Sequence, residues 1–246
     1  MPLPGRTHKW VPRKKTHRFR LPEENDFAKR VGSGNPWLGR EWYNDQYGDF
    51  DEFVWAERDI LLRSSTKQRP FVLDIGGASG WKAMKIAAKG PNVQIIDRVG
   101  YEEIIEERNK RLFHSSRTGK RPHKRGKGKI DLKISNAEAL DSAKLKMICR
   151  GKSPDMIVIS LVAHFMDFDR FKNLLNALSE ISKDHTVLAL QYLQPGFRPE
   201  KGIKYHDPKN IATAAHECGF ELIHNIWHVE YAIQGFRLNK PDAPTP

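Results

Sequence analysis

Ten residues constrain this chain more than any others: Phe71-Val-Leu-Asp-Ile-Gly-Gly-Ala-Ser-Gly80. An apolar run closing on an acid predicts a short strand over about 70–75. The small residues after it predict a turn opening a helix at Ser79 or Gly80. A strand feeding a glycine-rich turn and a helix N-terminus lets a nucleotide-like ligand approach the backbone. Gly76, Gly77, Ala78 and Gly80 keep side-chain bulk away, and glycine takes a positive φ where the turn needs one. Asp74 falls at the strand's carboxyl end. A carboxylate there repels a pyrophosphate and attracts the ammonium of an amino-acid-like ligand.

The remainder of the chain alternates helical and strand patterns, the signature of a parallel sheet. Asp49 and Glu52 form a capping-box pattern before a helix of about 50–63. Gly90-Pro91-Asn92 stops the helix after the turn, and Val93–Asp97 reads as the second strand. Asp97 lies 23 residues past Asp74, close to the spacing of the acid that accepts from ribose hydroxyls in nucleotide-binding α/β folds. Tyr101, Ile104, Ile105, Arg108 and Leu112 share a helical face, and Ile130–Ile134 reads as the third strand. A single helix is expected over Ala137–Cys149. A buried central strand follows over 154–160, then a helix carrying Phe168, Phe171, Leu174, Leu175, Leu178 and Ile181. Thr186–Tyr192 is the fifth strand. A helix with Pro208 at its first position leads to two adjacent strands, Phe220–Trp227 and Val229–Leu238.

Val72–Gly80 resembles motif I of the class I S-adenosylmethionine-dependent methyltransferases, and the similarity runs over roughly 71–238. Two departures stand out. The glycines fall as D-x-G-G-x-x-G where D-x-G-x-G-x-G is commoner, and Ser182–Thr186 lacks the proline-glycine-glycine of many members. The resemblance implies an α/β fold: a seven-stranded, mostly parallel sheet with helices on both faces and a closing antiparallel hairpin. It also implies S-adenosyl-L-methionine as cofactor, and the residues suggest no metal site. Asp74, Gly76, Gly77, Ala78, Ser79 and Gly80 would hold its amino-acid end, Asp97 its ribose, and Asn136 and Ala137 its adenine, with Arg98 a further cofactor contact. Asn136 stands where aspartate is usual, though its side-chain carbonyl still accepts an N–H. Ser160 would lie beneath the reacting methyl.

The formal charge of +12 is segregated. Residues 1–20 hold seven Lys and Arg with no acid, and so do residues 113–129. Removing those fourteen from 42 bases leaves 28 against 30 acids, a nearly neutral body. This divides the chain into a basic, aromatic-containing extension over 1–48, a methyltransferase-like domain over 49–240 with a basic insertion at 113–129, and a tail over 241–246. Segregated positive charge points to a polyanion, with RNA or a ribosomal particle ahead of membrane lipid. Arg13, Lys14, Lys15, Arg18 and Arg20 in the extension, and Lys120, Arg121, Lys124 and Arg125 in the insertion, are the phosphate-contact candidates. No apolar run of about 18 residues or more predicts a membrane span. Residues 1–20 lack the apolar core of a secretory signal, and Cys149 and Cys218 lack metal-ligand spacing and read as buried thiols. The expected setting is intracellular: nucleus, nucleolus or cytoplasm.

His164, just past the fourth strand, is the one obvious proton acceptor near the expected methyl position, with His206, Tyr192 and Glu138 behind it. Methyl transfer needs alignment more than a base. The expected activity is methylation of RNA, either rRNA or a structured small RNA. The alternatives are a catalytically inactive methyltransferase-like protein that docks on RNA or a ribosomal particle, and a small-molecule or protein methyltransferase.

Overall fold

A computed structural model of the chain describes residues 48–64, 69–114, 127–193, 204–227 and 231–240. The chain divides into Met1–Gln46 and Tyr47–Pro246, and every described residue belongs to the second unit. In chain order the elements are α1 (Gly48–Ser64), β1 (Phe71–Ile75), α2 (Trp81–Ala87), β2 (Asn92–Asp97), α3 (Glu102–His114) and β3 (Ile130–Ile134). A 3-10 turn at Ala137–Ala139 precedes α4 (Ser142–Ile148) and β4 (Met156–Ser160). A second 3-10 turn, Ala163–Phe165, leads to α5 (Phe168–Ile181), β5 (Val187–Leu193), α6 (Pro208–Glu217), β6 (Phe220–Trp227) and β7 (Tyr231–Leu238).

The seven strands lie in the order β3-β2-β1-β4-β5-β7-β6. The first five are parallel, and β7 runs antiparallel to both β5 and β6. This is the expected sheet. Central parallel strands are covered on both sides and read as apolar runs, which is why Met156–Ser160 and Val187–Leu193 are buried throughout. The strand order reverses between β2-β1 and β1-β4, so the carboxyl ends of β1 and β4 flank a topological switch point, where open α/β sheets bind ligands.

Alternation along the strands sorts the residues into two layers. Leu73, Ile75, Ile157, Ile159, Leu188, Leu190 and Tyr192 pack with α4, α5 and α6 in one apolar core. Registered rows on the opposite face run Ile95, Asp74, Val158, Ala189, Gly235 and, one step nearer the carboxyl edge, Ser160, Gln191, Ile233. On that face the Phe53 ring of α1 sits over Gly235, where an added Cβ would come within 2.1 Å of it.

The single helix expected over Ala137–Cys149 is broken in two. Leu140 is extended, and the Asp141 side chain accepts from the Lys144 amide at 2.7 Å, so an acid that competes with helix geometry caps a new start. Strand 4 begins two residues later than expected because the Asp155 carboxylate turns aside to accept from the Phe71 amide at 2.6 Å. Both cysteines are buried free thiols. Among the described residues no helix is long and apolar enough to cross a membrane, and no group of His, Cys, Asp and Glu could hold a metal.

Candidate cofactor crevice

The turn after β1 explains its own glycine pattern. Gly76, Ala78 and Gly80 have φ of 74°, 46° and 73°. A Cβ on Gly76 would stand 2.0 Å from the Val162 side chain, and one on Gly80 would stand 2.5 Å from Ile105. Gly77 needs no positive φ, but a Cβ there would meet the Asp74 carboxylate at 2.7 Å. The second of the adjacent glycines therefore makes room for an acid. Ala78 occupies the left-handed position where the commoner pattern has glycine, at a conformational cost of about 1–2 kcal/mol. Its amide is held by the Asp97 Oδ2 at 3.0 Å, and the other Asp97 oxygen accepts from the Val99 amide at 3.0 Å.

Asp74 is 1 % exposed, and its Oδ2 has no hydrogen-bond partner among the described residues. Burial pushes the carboxyl up to about 7; Lys82 pulls it down, while Asp97 and Asp51 add to the rise. Lys82 itself pairs with Asp51 of α1 at 2.6 Å. The sequence placed Arg108 only on a helix face. In the structure it reaches under the turn, donating to the Ser79 carbonyl at 2.6 Å and the Ser79 hydroxyl at 3.3 Å, with its guanidinium 5.5 Å from the Trp81 ring. An arginine on an otherwise apolar helical stripe was the available signal.

At the neighbouring strand ends, Asn136 acts as a cap: its Oδ1 accepts from the Glu138 amide at 3.2 Å, and Ala137 opens the 3-10 turn. Glu138 pairs with Arg170 at 2.6 Å. The Arg98 guanidinium lies 5.8 Å from the Phe165 ring, joining the loop after β2 to the loop after β4. Ser160 donates to the Gln191 Oε1 at 2.8 Å, and the buried Gln191 Nε2 has no partner among the described residues. Leu161 follows with φ of 56°, a strained conformation for a bulky side chain, and its amide donates to the Gln191 carbonyl at 2.7 Å.

The expectation for His164 changes with its surroundings. Its ring is 1 % exposed and lies 4.2 Å from the Phe165 ring; burial, and secondarily His206, holds it down to about 4. At neutral pH it is an uncharged and weak proton acceptor packed in the interior, where the sequence reading has a proton acceptor with the ordinary imidazole pKa near 6.5. His206 contacts the Ala163 carbonyl at 2.9 Å, and the Tyr192 hydroxyl, raised by burial, donates to Gln234 at 2.6 Å. Arg13, Lys14, Lys15, Arg18, Arg20, Lys120, Arg121, Lys124 and Arg125 lie outside the described residues.

No protein family and no curated protein matches this chain by sequence. Solved structures do match by shape. The magnesium protoporphyrin IX methyltransferase of Synechocystis PCC 6803, with bound S-adenosylhomocysteine, is 14 % identical with a TM-score of 0.56, covering 89 % of this chain and 95 % of that one. The N-methyltransferase NodS of Bradyrhizobium japonicum WM9, also with S-adenosylhomocysteine, is 14 % identical at 0.56, over 88 % and 98 %. An O-methyltransferase family protein of Burkholderia thailandensis is 13 % identical at 0.53, over 85 % and 62 %. Sheet order, switch point, glycine turn and these likenesses agree: the chain has the class I S-adenosylmethionine-dependent methyltransferase fold.

Proposed function

We propose that the protein is an S-adenosylmethionine-dependent methyltransferase whose acceptor is RNA, either rRNA or a structured small RNA. The observation that carries the cofactor is the Asp74 Oδ2, a buried carboxylate oxygen without a partner among the described residues, beside a turn that excludes side chains. A buried polar atom left unpaired is costly unless a ligand answers it, and an α-ammonium would do so while drawing the raised carboxyl back to its charged form. Asp97 keeps lone pairs beyond its two backbone bonds to accept from ribose hydroxyls. Asn136 and the Ala137 amide would meet the adenine.

When bound, the cofactor supplies an electrophilic methyl on a sulfonium. The chain's part is to align the acceptor and keep water out, with Ser160, Gln191 and Leu161 forming the wall at the end of β4. With His164 neutral and interior, positioning carries the acceleration. RNA as acceptor rests on the segregated charge of the sequence, and it would set the protein to work inside the cell, free or on a ribosomal particle. A small-molecule acceptor is the second reading, because the solved structures of like fold include a porphyrin methyltransferase and an O-methyltransferase family protein.

Two measurements decide. Calorimetric titration with S-adenosylhomocysteine should show one binding site; no heat at millimolar ligand removes the enzyme reading and leaves a binding protein. Labelled S-adenosylmethionine offered with total cellular RNA and, separately, with a small-metabolite extract should mark the RNA. Label confined to the metabolite fraction gives the second reading.

A further inference from the structure

The loops at the amino edge of the sheet, opposite the crevice, carry a basic rim. Arg69 precedes β1, Lys89 precedes β2, Lys127 and Lys129 precede β3, and Arg150 and Lys152 precede β4. Lys89, Lys129, Arg150 and Lys152 are exposed. The acids nearby are engaged: Asp131 pairs with Lys129 at 2.7 Å, and Asp155 takes the Phe71 amide and pairs with Lys183 at 2.5 Å. Lys89, Lys127, Arg150 and Lys152 have no carboxylate within 4.0 Å among the described residues. Lys129, Arg150 and Lys152 also line a cleft of about 220 Å³ together with Asp131, Asn92 and Phe71. The crevice edge has the opposite character, with Asp51, Asp74 and Asp97 clustered at the glycine turn.

The rim is fixed in place by backbone bonds. Gly128 donates to the Ala87 carbonyl at 2.8 Å, Lys129 to the Asn92 side chain at 3.1 Å, and Val93 to the Lys129 carbonyl at 2.8 Å. The Arg69 guanidinium donates to the Lys127 carbonyl. Asn109 of α3 makes two bonds with Ile130, at 2.7 and 3.0 Å, which ties the helix before the second basic run to the strand after it.

We infer that this amino-edge rim is an RNA phosphate-binding face, so that RNA is gripped one strand length, roughly 15–20 Å, from the crevice in which it would react. The inference rests on RNA being the acceptor. A phosphodiester chain brings repeated single negative charges that Lys89, Arg150 and Lys152, exposed and without a carboxylate partner among the described residues, can neutralise one by one, releasing counterions. At the glycine turn it would meet Asp51, Asp74 and Asp97, with Lys82 already paired to Asp51 and Arg98 beside them as an exposed base.

The test uses the full chain, a labelled single-stranded RNA oligonucleotide, and the triple variant Lys89→Gln/Arg150→Asn/Lys152→Gln. Asparagine at 150 tolerates the positive φ of 53° found there. S-adenosylhomocysteine should bind the variant as it binds the parent, which certifies the fold. The slope of log affinity against log salt should fall by about 2, three contacts at about 0.7 each. A parent that binds RNA and a variant with the same slope would overturn the rim and spare RNA as acceptor. A parent that binds no RNA would overturn both. An equal loss of affinity for polyglutamate would mark a face for anions at large and also overturn the assignment.

Discussion

Against one face of the sheet, Leu73, Ile159 and Leu190 meet α4, α5 and α6; there the Tyr192 hydroxyl is answered by Gln234 and His206 by the Ala163 carbonyl, while the buried Ser182 hydroxyl at the end of α5 has no partner among the described residues. Against the other face, Asp74 and Gln191 each keep a buried polar atom without a partner among the described residues. The same strands build both. One layer is optimised to stay folded, while the second gives up stability to keep polar groups facing the carboxyl edge, as functional sites commonly do.

Substitutions on the two faces should therefore separate stability from binding. On the first face, Phe171→Ala should cost about 3–5 kcal/mol in denaturant unfolding while leaving affinity for S-adenosylhomocysteine unchanged. A loss of affinity beyond what partial unfolding explains would break the division. On the second face, the raised Asp74 carboxyl makes the ligand-free protein bind one more proton than its unfolded chain between about pH 4 and 7, so stability falls as pH rises through that window. The penalty reaches at most about 4 kcal/mol above pH 7. Asp74→Asn should abolish that slope and unfold at a higher temperature than the parent at pH 8 but not at pH 4. Equal melting temperatures at both would show that the carboxyl is not held up. Saturating S-adenosylhomocysteine should flatten the parent's slope in the same window.

Asp97→Ala should weaken S-adenosylhomocysteine by about 1.5–3 kcal/mol in calorimetry, the scale of lost charged hydrogen bonds. Unaltered affinity would remove the ribose assignment. The smallest effect is expected at Gly235→Ala, where the new methyl would push the Phe53 ring of α1, costing about 1–2 kcal/mol of stability with little change in ligand affinity. A purely local loss of that size sharpens the picture of α1 as packing; a large loss of affinity would make α1 part of the crevice.

Strand identities and the glycine turn were readable because they rest on short-range patterns. Apolar runs closing on Asp74 and Asp97, and the spacing of Phe171, Leu174, Leu175 and Leu178, are properties of consecutive residues. The break at Leu140 was harder to see, since Asp141 can serve as a helix interior residue or as a cap, and only its bond to the Lys144 amide decides. Arg108 was read as one more residue of a helical stripe because its partner, Ser79, lies 29 positions away. His164 was legible as a residue near the expected methyl position but not as a buried one. Its environment is made by His206 and Phe165, brought together by the loops after β4 and before α6. Charge segregation was visible in the sequence, whereas the rim residues Lys89, Arg150 and Lys152 are scattered along it and meet only through the topology of the sheet.

The pinning of Gly128 beneath Pro91 also bears on how such a chain can change. Gly128 and Lys129 hold the entry to β3 against Ala87, Pro91 and Asn92, so the register of β3 on β2 is set by bonds among neighbours on its own side of the second basic run, whatever charges that run carries.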